Sequence, residues 1–327
     1  MEIYTSLEAI PRPFAGAHAG ACVTIGNFDG VHLGHQWLFA EVASRAYRSG
    51  GVSVAITFDP HPLQVLRPGG IRLISSLDQK KELIALAGID VLVIIPFTPA
   101  FAATPAEVFV DEILLKTIGM SDLVVGYDYA FGKGRSGDAN FLQQQGTVKG
   151  FPVTVIPAHY EAGMLVSSTK IRELVACGDV HAARTLLGRS YQIRGRVQVG
   201  KRRGGTEVGF PTANLALSAE DLVPRHGVYV CQVICDGHCY GGVMNVGSNP
   251  TFGEDVLVAE THIFDFDRDI YDQPIKINML EFLRDEKKFA SVSDLSAQIA
   301  QDVAQAKSIL AAGEQELALS CEDDFNR

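Results

Sequence analysis

Near the N-terminus one short stretch gathers the residue types needed to hold a phosphate: Gly26-Asn27-Phe28-Asp29-Gly30-Val31-His32-Leu33-Gly34-His35. An apolar run, Ala21–Gly26, leads into it and a helical pattern, Leu33–Arg48, leads out. Strand, glycine-rich loop and helix in that order present backbone N–H groups and a helix N-terminus to an anion. Gly26, Gly30 and Gly34 let a phosphate approach the backbone with no Cβ in the way. His32 and His35 fall one helical turn apart, so both imidazoles can donate to the same phosphate oxygens, most strongly as charge builds on a leaving pyrophosphate. A zinc reading of the two histidines lacks nearby cysteines. No Walker A motif competes: Gly126 to Gly132-Lys133 has the wrong spacing, and no Ser or Thr follows the lysine. The loop points to a nucleotidyl-transfer site whose acceptor it does not name.

The elements that must position this loop are legible around it. Apolar runs of strand length occur at Ala21–Gly26, Val52–Phe58, Val91–Pro96, Leu123–Tyr127 and Val153–Ile156. Helical patterns lie between them at Leu33–Arg48, Asp78–Ala87 and Pro105–Thr117, the last with Thr104 as its expected N-cap. Continuous apolar strands alternating with helices predict a parallel sheet covered on both faces, with the ligand at the carboxyl ends of the strands. A further helical stretch, Thr169–Leu187, ends at Gly188. Beyond it the pattern turns to strands at Tyr191–Val199, Gly227–Cys235, Cys239–Val246, Val256–Phe266 and Lys276–Phe282, followed by one long helix, Val292–Ala311. The chain thus reads as two domains: 1–187, an α/β Rossmann-like unit, and 188–327, an antiparallel β-barrel closed by a C-terminal helix.

Composition narrows the function classes. A length of 327 residues with 47% hydrophobic and 20% charged residues fits two globular cores. The net charge of −10 argues against broad nucleic-acid binding, and the one basic run, Lys201-Arg202-Arg203, reads as a solvated loop. Glu322-Asp323-Asp324 reads as a soluble tail. With no leader pattern and no apolar run of the ~20 residues a membrane span needs, the expected location is the cytoplasm, with reduced thiols. Cys231, Cys235, His238 and Cys239 could be mistaken for a zinc site, but Asp236-Gly237 is a type I′ hairpin signal that sets Cys235 opposite His238.

Other segments carry chemistry more quietly. Ser167-Ser168-Thr169-Lys170-Ile171-Arg172 opens a helix with hydroxyls and a guanidinium suited to phosphates. Gly209-Phe210-Pro211-Thr212-Ala213-Asn214-Leu215 taken alone reads as a turn between strands. In Val256–Phe264, strand alternation puts Glu260 on the face of Val256, Val258 and Phe264. A carboxylate on a largely apolar face needs work or a partner, which leaves a cation-paired edge residue or a catalytic base.

Taken together these motifs resemble a known family. The Gly26–His35 loop looks like the histidine-signature nucleotidyltransferases, which share an H-x-G-H motif. With Thr57-Phe58-Asp59-Pro60-His61-Pro62, with Val125–Gly132 continuing to Arg135, Gly137 and Asp138, and with Ser167–Arg172, it resembles the adenylyltransferase module of the bacterial bifunctional riboflavin kinase/FAD synthetases. Gly209–Leu215 is similar to the riboflavin kinase module of that family, as are Gly227-Val228-Tyr229, Asn245–Gly253, Asp265-Phe266-Asp267 and Leu283–Phe289. The resemblance spans about Gly20 to Lys307 and departs at Gly205-Thr206, Asn249 and Tyr271-Asp272. It implies ATP as co-substrate, riboflavin as substrate, FMN and FAD as products, and Mg²⁺ as cofactor. It further implies nucleotide contacts at Gly26, Asn27, Phe28, Asp29, Gly30, Gly34, His61, Asp128, Phe131, Arg135, Ser168 and Thr169, with His32, His35 and Arg172 acting on the adenylyl transfer. In the kinase module it implies contacts at Gly209, Pro211, Thr212 and Asn214, Mg²⁺ on Thr212 and Asn214, and Glu260 as base. A monofunctional adenylyltransferase with a regulatory β domain is the alternative.

Overall fold

A computed structural model describes the chain except for residues 15, 17, 18, 200–208, 219, 249–256 and 324–327, and except for the side chains of 248, 257 and 313–323. The basic run Lys201-Arg202-Arg203, the Gly205-Thr206 pair, Asn249, Val256 and Asp324 therefore lie outside the described residues. Two compact units divide the chain, Met1–Ser168 and Thr169–Arg327.

The first unit is built on six parallel strands: β1 Glu2–Tyr4, β2 Ala21–Ile25, β3 Val52–Asp59, β4 Val91–Pro96, β5 Met120–Gly126 and β6 Val153–Ile156. Their order is β1-β4-β3-β2-β5-β6. Every residue of β2 is buried, as expected of a central strand with both faces covered. Its alternate residues feed two cores. Ala21, Val23 and Ile25 join Ile56, Val93, Leu123 and Leu114 on one face. Cys22 joins Ala55, Leu92, Val124 and the helix residues Leu38, Phe39 and Val42 on the other. From β2 the chain moves outward through β3 to β4, then returns to β5 and β6 on the opposite side. That reversal creates a crevice at the carboxyl ends of β2, β3 and β5, where open α/β sheets bind ligands.

Helix α1 (Leu33–Ser49) starts at the cap residue His32 and stops at Gly50 in the left-handed region, matching its expected span. Helix α2 (Leu77–Leu86) is capped by Ser76. The helix expected at 105–117 differs. Its first turn, α3 (Ala106–Val108), follows Pro105 at the cap position without a side-chain cap bond. Thr104 does not cap it, and the Thr104 carbonyl instead accepts from Lys133 N at 2.8 Å. The segment then widens into π-helical turns over Phe109–Ile118, whose buried residues Phe109, Ile113, Leu114 and Ile118 recur every four to five positions. Helix α4 (Ala139–Lys149) follows Asp138, which caps it.

In the second unit the stretch expected as one helix is two, α5 (Ser168–Cys177) and α6 (Val180–Leu187). Gly178 (φ +91°) ends the first and Asp179 caps the second, a stop and a start in adjacent residues. Six antiparallel strands follow: β7 Tyr191–Arg196, β8 Ala213–Ala216, β9 Gly227–Cys235, β10 His238–Ser248, β11 Leu257–Ile263 and β12 Pro274–Arg284, in the order β7-β12-β9-β10-β11-β8. Gln198 N donates to Asn214 O at 2.8 Å, joining the chain just after β7 to β8 and closing the sheet into a barrel. Strand β8 begins within Gly209–Leu215, the segment whose sequence reads as a turn. It is four residues long and gains its ladder only by pairing with β11, a long-range contact. The Asp236-Gly237 turn has both φ positive (48° and 75°) and sets Cys235 opposite His238, as expected. Helix α7 (Val292–Asp323) lays Val303, Ala306 and Leu310 against Val228, Val230, Val243 and Leu280. Arg284 forks onto Asp302 of α7 (Nε–Oδ1 2.9 Å, Nη2–Oδ2 2.6 Å).

Candidate active sites

In the first unit the Gly26–His35 loop leaves the carboxyl end of β2 and is fixed from several sides. Gly26 N donates to Ile56 O (3.1 Å) and Thr57 Oγ1 to Asn27 O (3.2 Å), tying the loop to β3. Phe28 is buried with φ +46°, its ring against Phe39 and edge-on to His35. A Cβ on Gly26 would sit 2.6 Å from that ring, so only glycine fits beneath it. Asp29 is 1% exposed, and its carboxylate accepts from Ile74 N and Ser75 N at 3.1–3.2 Å. Gly30 N donates to Ser75 Oγ (3.0 Å). Ser168 Oγ donates to Asp29 O at 2.9 Å, which brings that hydroxyl to the loop.

His32 and His35 stack at 3.6 Å between ring centroids, tilted by 15°. His32 Nδ1 accepts from His35 N (3.3 Å) as the helix cap, so the ring proton sits on Nε2 as a donor. His61, beyond the end of β3, is arranged in the same way. Its Nδ1 accepts from Leu63 N (3.1 Å) in a capping box with Gln64, which also leaves Nε2 carrying the proton. Across β5, Asp128 is exposed and follows Gly126 in a tight turn. It lines a cleft of about 450 Å³ together with Tyr127, Tyr129, Asp138, Asn140 and Val155. Phe131 is buried against Phe109 and Phe141, and Arg135 is exposed on the following turn at φ +59°. Gly34 stands on α1 beside the His32 ring. In the second unit Thr169 is exposed and Arg172 half-buried in the first turns of α5.

The barrel assembles a second constellation. Glu260 on β11 lies directly opposite Asn214 of β8 on one side and Asn245 of β10 on the other. Residues so paired share a face, so the row Asn214–Glu260–Asn245 is polar across three strands. The face is less apolar than strand alternation suggested: Val258 is on it, but so is His262, and β11 ends before Phe264. Asn214 is 7% exposed, and its Nδ2 donates to Thr212 O (3.2 Å), which leaves Oδ1 available toward a cation. His262 Nδ1 donates to Pro211 O (2.8 Å), and its ring meets Phe210 edge-on, pinning the Gly209–Thr212 segment to β11. Among the described residues no cluster of three or more His, Cys, Asp or Glu could hold a metal by itself. One carboxylate and neutral oxygens suit Mg²⁺ that arrives with phosphate oxygens and water.

The sequence pattern does not mark every residue that shares these sites. Asn245 Nδ2 donates to Glu286 Oε1 (3.3 Å), and His226 Nδ1 lies 3.9 Å from Glu286 Oε2, so a second carboxylate flanks the Glu260 row. Lys80 of α2 is 5% exposed, although nothing in a helical Lys-Lys-Glu pattern marks it as buried. Burial pushes its ammonium below the ordinary lysine pKa, against the opposing fields of Asp29 and Asp59.

Comparison with known proteins finds a match for each half of the chain. Residues 15–170 match the family model for FAD synthetase, and residues 187–310 match that for riboflavin kinase. The chain is 37% identical over 295 residues to the bifunctional riboflavin kinase/FMN adenylyltransferase of Pseudomonas fluorescens, covering 90% of this chain and 94% of that protein. The chain belongs to the bifunctional riboflavin kinase/FMN adenylyltransferase family. A member from Listeria monocytogenes is 35% identical over 283 residues, 86% of this chain and 89% of its own. A solved structure described as a macrolide-efflux protein from Streptococcus pneumoniae superposes with a TM-score of 0.83 at 30% identity, covering 93% of this chain and 98% of that one. Among the described residues no helix is long and apolar enough to cross a membrane. The riboflavin kinase match over the barrel disfavours a monofunctional adenylyltransferase with a regulatory β domain.

Proposed function

We propose that the chain phosphorylates riboflavin to FMN at the Glu260 row and adenylylates FMN to FAD at the His32/His35 loop, using ATP in both steps. The observation that carries this reading is that each chemistry has its own constellation: stacked histidines at the carboxyl end of β2, and a polar row spanning β8, β11 and β10. The division of the two activities into 1–187 and 188–327 is part of the same proposal.

In the kinase step Glu260 takes the proton of the primary alcohol of riboflavin as its oxygen attacks the γ-phosphorus of ATP, and ADP leaves. The carboxylate is needed because an alcohol does not ionise unaided at neutral pH. Thr212 and Asn214 would hold Mg²⁺ through neutral oxygens, and when bound the ion neutralises charge on the transferring phosphoryl group. Gly209 and Pro211 shape the segment that His262 pins beside it.

In the adenylyl step a phosphate oxygen of FMN attacks the α-phosphorus of ATP, and the bond to the bridging oxygen breaks to release pyrophosphate. The nucleophile is already anionic, so the site's work is in-line positioning and charge neutralisation. His32 and His61 each offer an Nε2–H, His35 stacks beneath His32, and the N–H groups at the start of α1 add to them. Gly26, Asn27, Phe28, Asp29, Gly30 and Gly34 form the cradle, Ser168 adds a hydroxyl held on the loop, and Asp128 and Arg135 stand exposed beyond β5. The expected location is the cytoplasm, with the thiols reduced.

Product analysis tests both assignments. Glu260→Ala or Asn214→Ala should abolish FMN formation and leave FAD synthesis from supplied FMN. His32→Ala should do the reverse, with FMN accumulating. Loss of both activities from either variant in a folded protein would refute separate sites.

A further inference from the structure

Lys80 has no place in the two-site account, yet it is the kind of residue that needs one. It lies one turn into α2, its backbone N–H bonded to the carbonyl of the cap residue Ser76 (2.9 Å). The two residues before that cap, Ile74 and Ser75, are the ones that Asp29 and Gly30 grip from the phosphate loop. Lys80 is therefore anchored to the loop through a chain of short contacts. The fields of Asp29, in the loop after β2, and Asp59, at the end of β3, both reach it. Both carboxylates stand at the carboxyl ends of β2 and β3, beside the crevice between these strands.

An ammonium so buried calls for an anion. Among the described residues Lys80 makes no ion pair and no side-chain hydrogen bond. Asp29, one of the two carboxylates whose fields reach it, has its oxygens taken by the N–H groups of Ile74 and Ser75. Desolvation outweighs both carboxylate fields, so the protein carries this charge at a cost when no ligand is bound. Charges held at such a cost cluster where a ligand discharges them.

We infer that Lys80 is an anion-binding residue of the adenylyl site, receiving the β- and γ-phosphate oxygens of ATP that become pyrophosphate. This rests on the adenylyl-transfer reading of the loop. As the α-phosphorus bonds to the FMN phosphate oxygen, the electron pair of the broken P–O bond stays with pyrophosphate. The added negative charge falls on oxygens that Lys80 faces as a fixed cation, and no proton moves. The phosphate chain is then held from two sides, by the loop and its histidines with α1 on one and by Lys80 of α2 on the other.

The test compares Lys80→Met and Lys80→Arg with wild type in the full-length chain. The riboflavin kinase rate, read in the same preparations, reports that the protein is folded. Removing one preorganised donor from a developing oxyanion costs about 10²–10³-fold in rate, so Lys80→Met should lose FAD formation from FMN by that factor and keep its kinase rate, with Lys80→Arg in between. A second readout needs no turnover: Mg²⁺ with inorganic pyrophosphate should raise the thermal midpoint of wild type and leave that of Lys80→Met unmoved. Without ligand, Lys80→Met should melt at or above wild type, since it sheds an uncompensated buried charge. A midpoint well below wild type with the pyrophosphate shift retained would make Lys80 a structural counter-ion and overturn the proposal, as would FAD formation within about threefold of wild type. If wild type forms no FAD, the adenylyl reading fails, and the pyrophosphate shift still decides Lys80.

Discussion

Replacing Asp29 by asparagine changes almost no volume and removes one charge from a position 1% exposed to solvent. Both carboxylate oxygens accept from Ile74 N at 3.1 Å, and Oδ1 also accepts from Ser75 N at 3.2 Å. An amide keeps one of these oxygens and turns the other into a donor facing a donor. Losing a charge-assisted hydrogen bond and burying an unmatched N–H costs about 2–3 kcal/mol. For a unit of this size that corresponds to a fall of about 4–12 °C in the thermal midpoint. The chain's one tryptophan, Trp37, stands on α1 edge-on to His159, inside the first unit. Its fluorescence therefore reports that unit, while the riboflavin kinase rate reports the barrel. The expected result is a lowered fluorescence midpoint and weakened FAD formation beside an undisturbed kinase. A midpoint within about 1 °C of wild type would show that the clamp between Asp29 and the Ile74–Ser75 segment contributes nothing, and the account of how the loop is held would fail.

Two further outcomes follow from the barrel and the thiols. Asp302→Ala strands Arg284, whose side chain is 16% exposed, and should cost about 3–5 kcal/mol. It should be seen as thermal inactivation of the kinase at lower temperature, with a smaller loss in the Asp302→Leu/Arg284→Met pair. Burial pushes the Cys22 thiol up to about 12 and that of Cys231 higher still, so both stay protonated where an exposed thiol ionises. Iodoacetamide at about pH 8 should label Cys177 and Cys239 in the native protein and spare Cys22 and Cys231 until denaturant is added, as mapped by peptide mass spectrometry.

Much of this protein is written locally in its chain. The five parallel strands named from apolar runs occur within a few residues of their expected bounds, because a strand buried on both faces must be apolar throughout. The His32 cap and the Gly50 stop of α1 are likewise local, since each is set by one residue's backbone preference. The phosphate loop is legible for the same reason: glycines and histidines at fixed offsets, next to a strand and a helix, need no distant partner to be recognised.

Tertiary structure alone decided which residues meet. Strand β8 exists because β11 offers it a ladder, and four residues with a proline just before them carry too little pattern to announce that. Asn245 joined Asn214 and Glu260 only through the register of three paired strands, where a slip of one residue would have turned each to the other face. Lys80 has the sequence setting of an ordinary surface residue on an amphipathic helix, because burial of a long side chain depends on what packs over it. The sequence by itself determined the phosphate-holding loop, since that chemistry is carried by residue types at short spacing, while the kinase residues stand far apart in the chain and meet only across β8 and β11. The fold determined how those residues are held, because hydrogen-bond partners and charge neighbours come from strands and helices that local pattern cannot bring together.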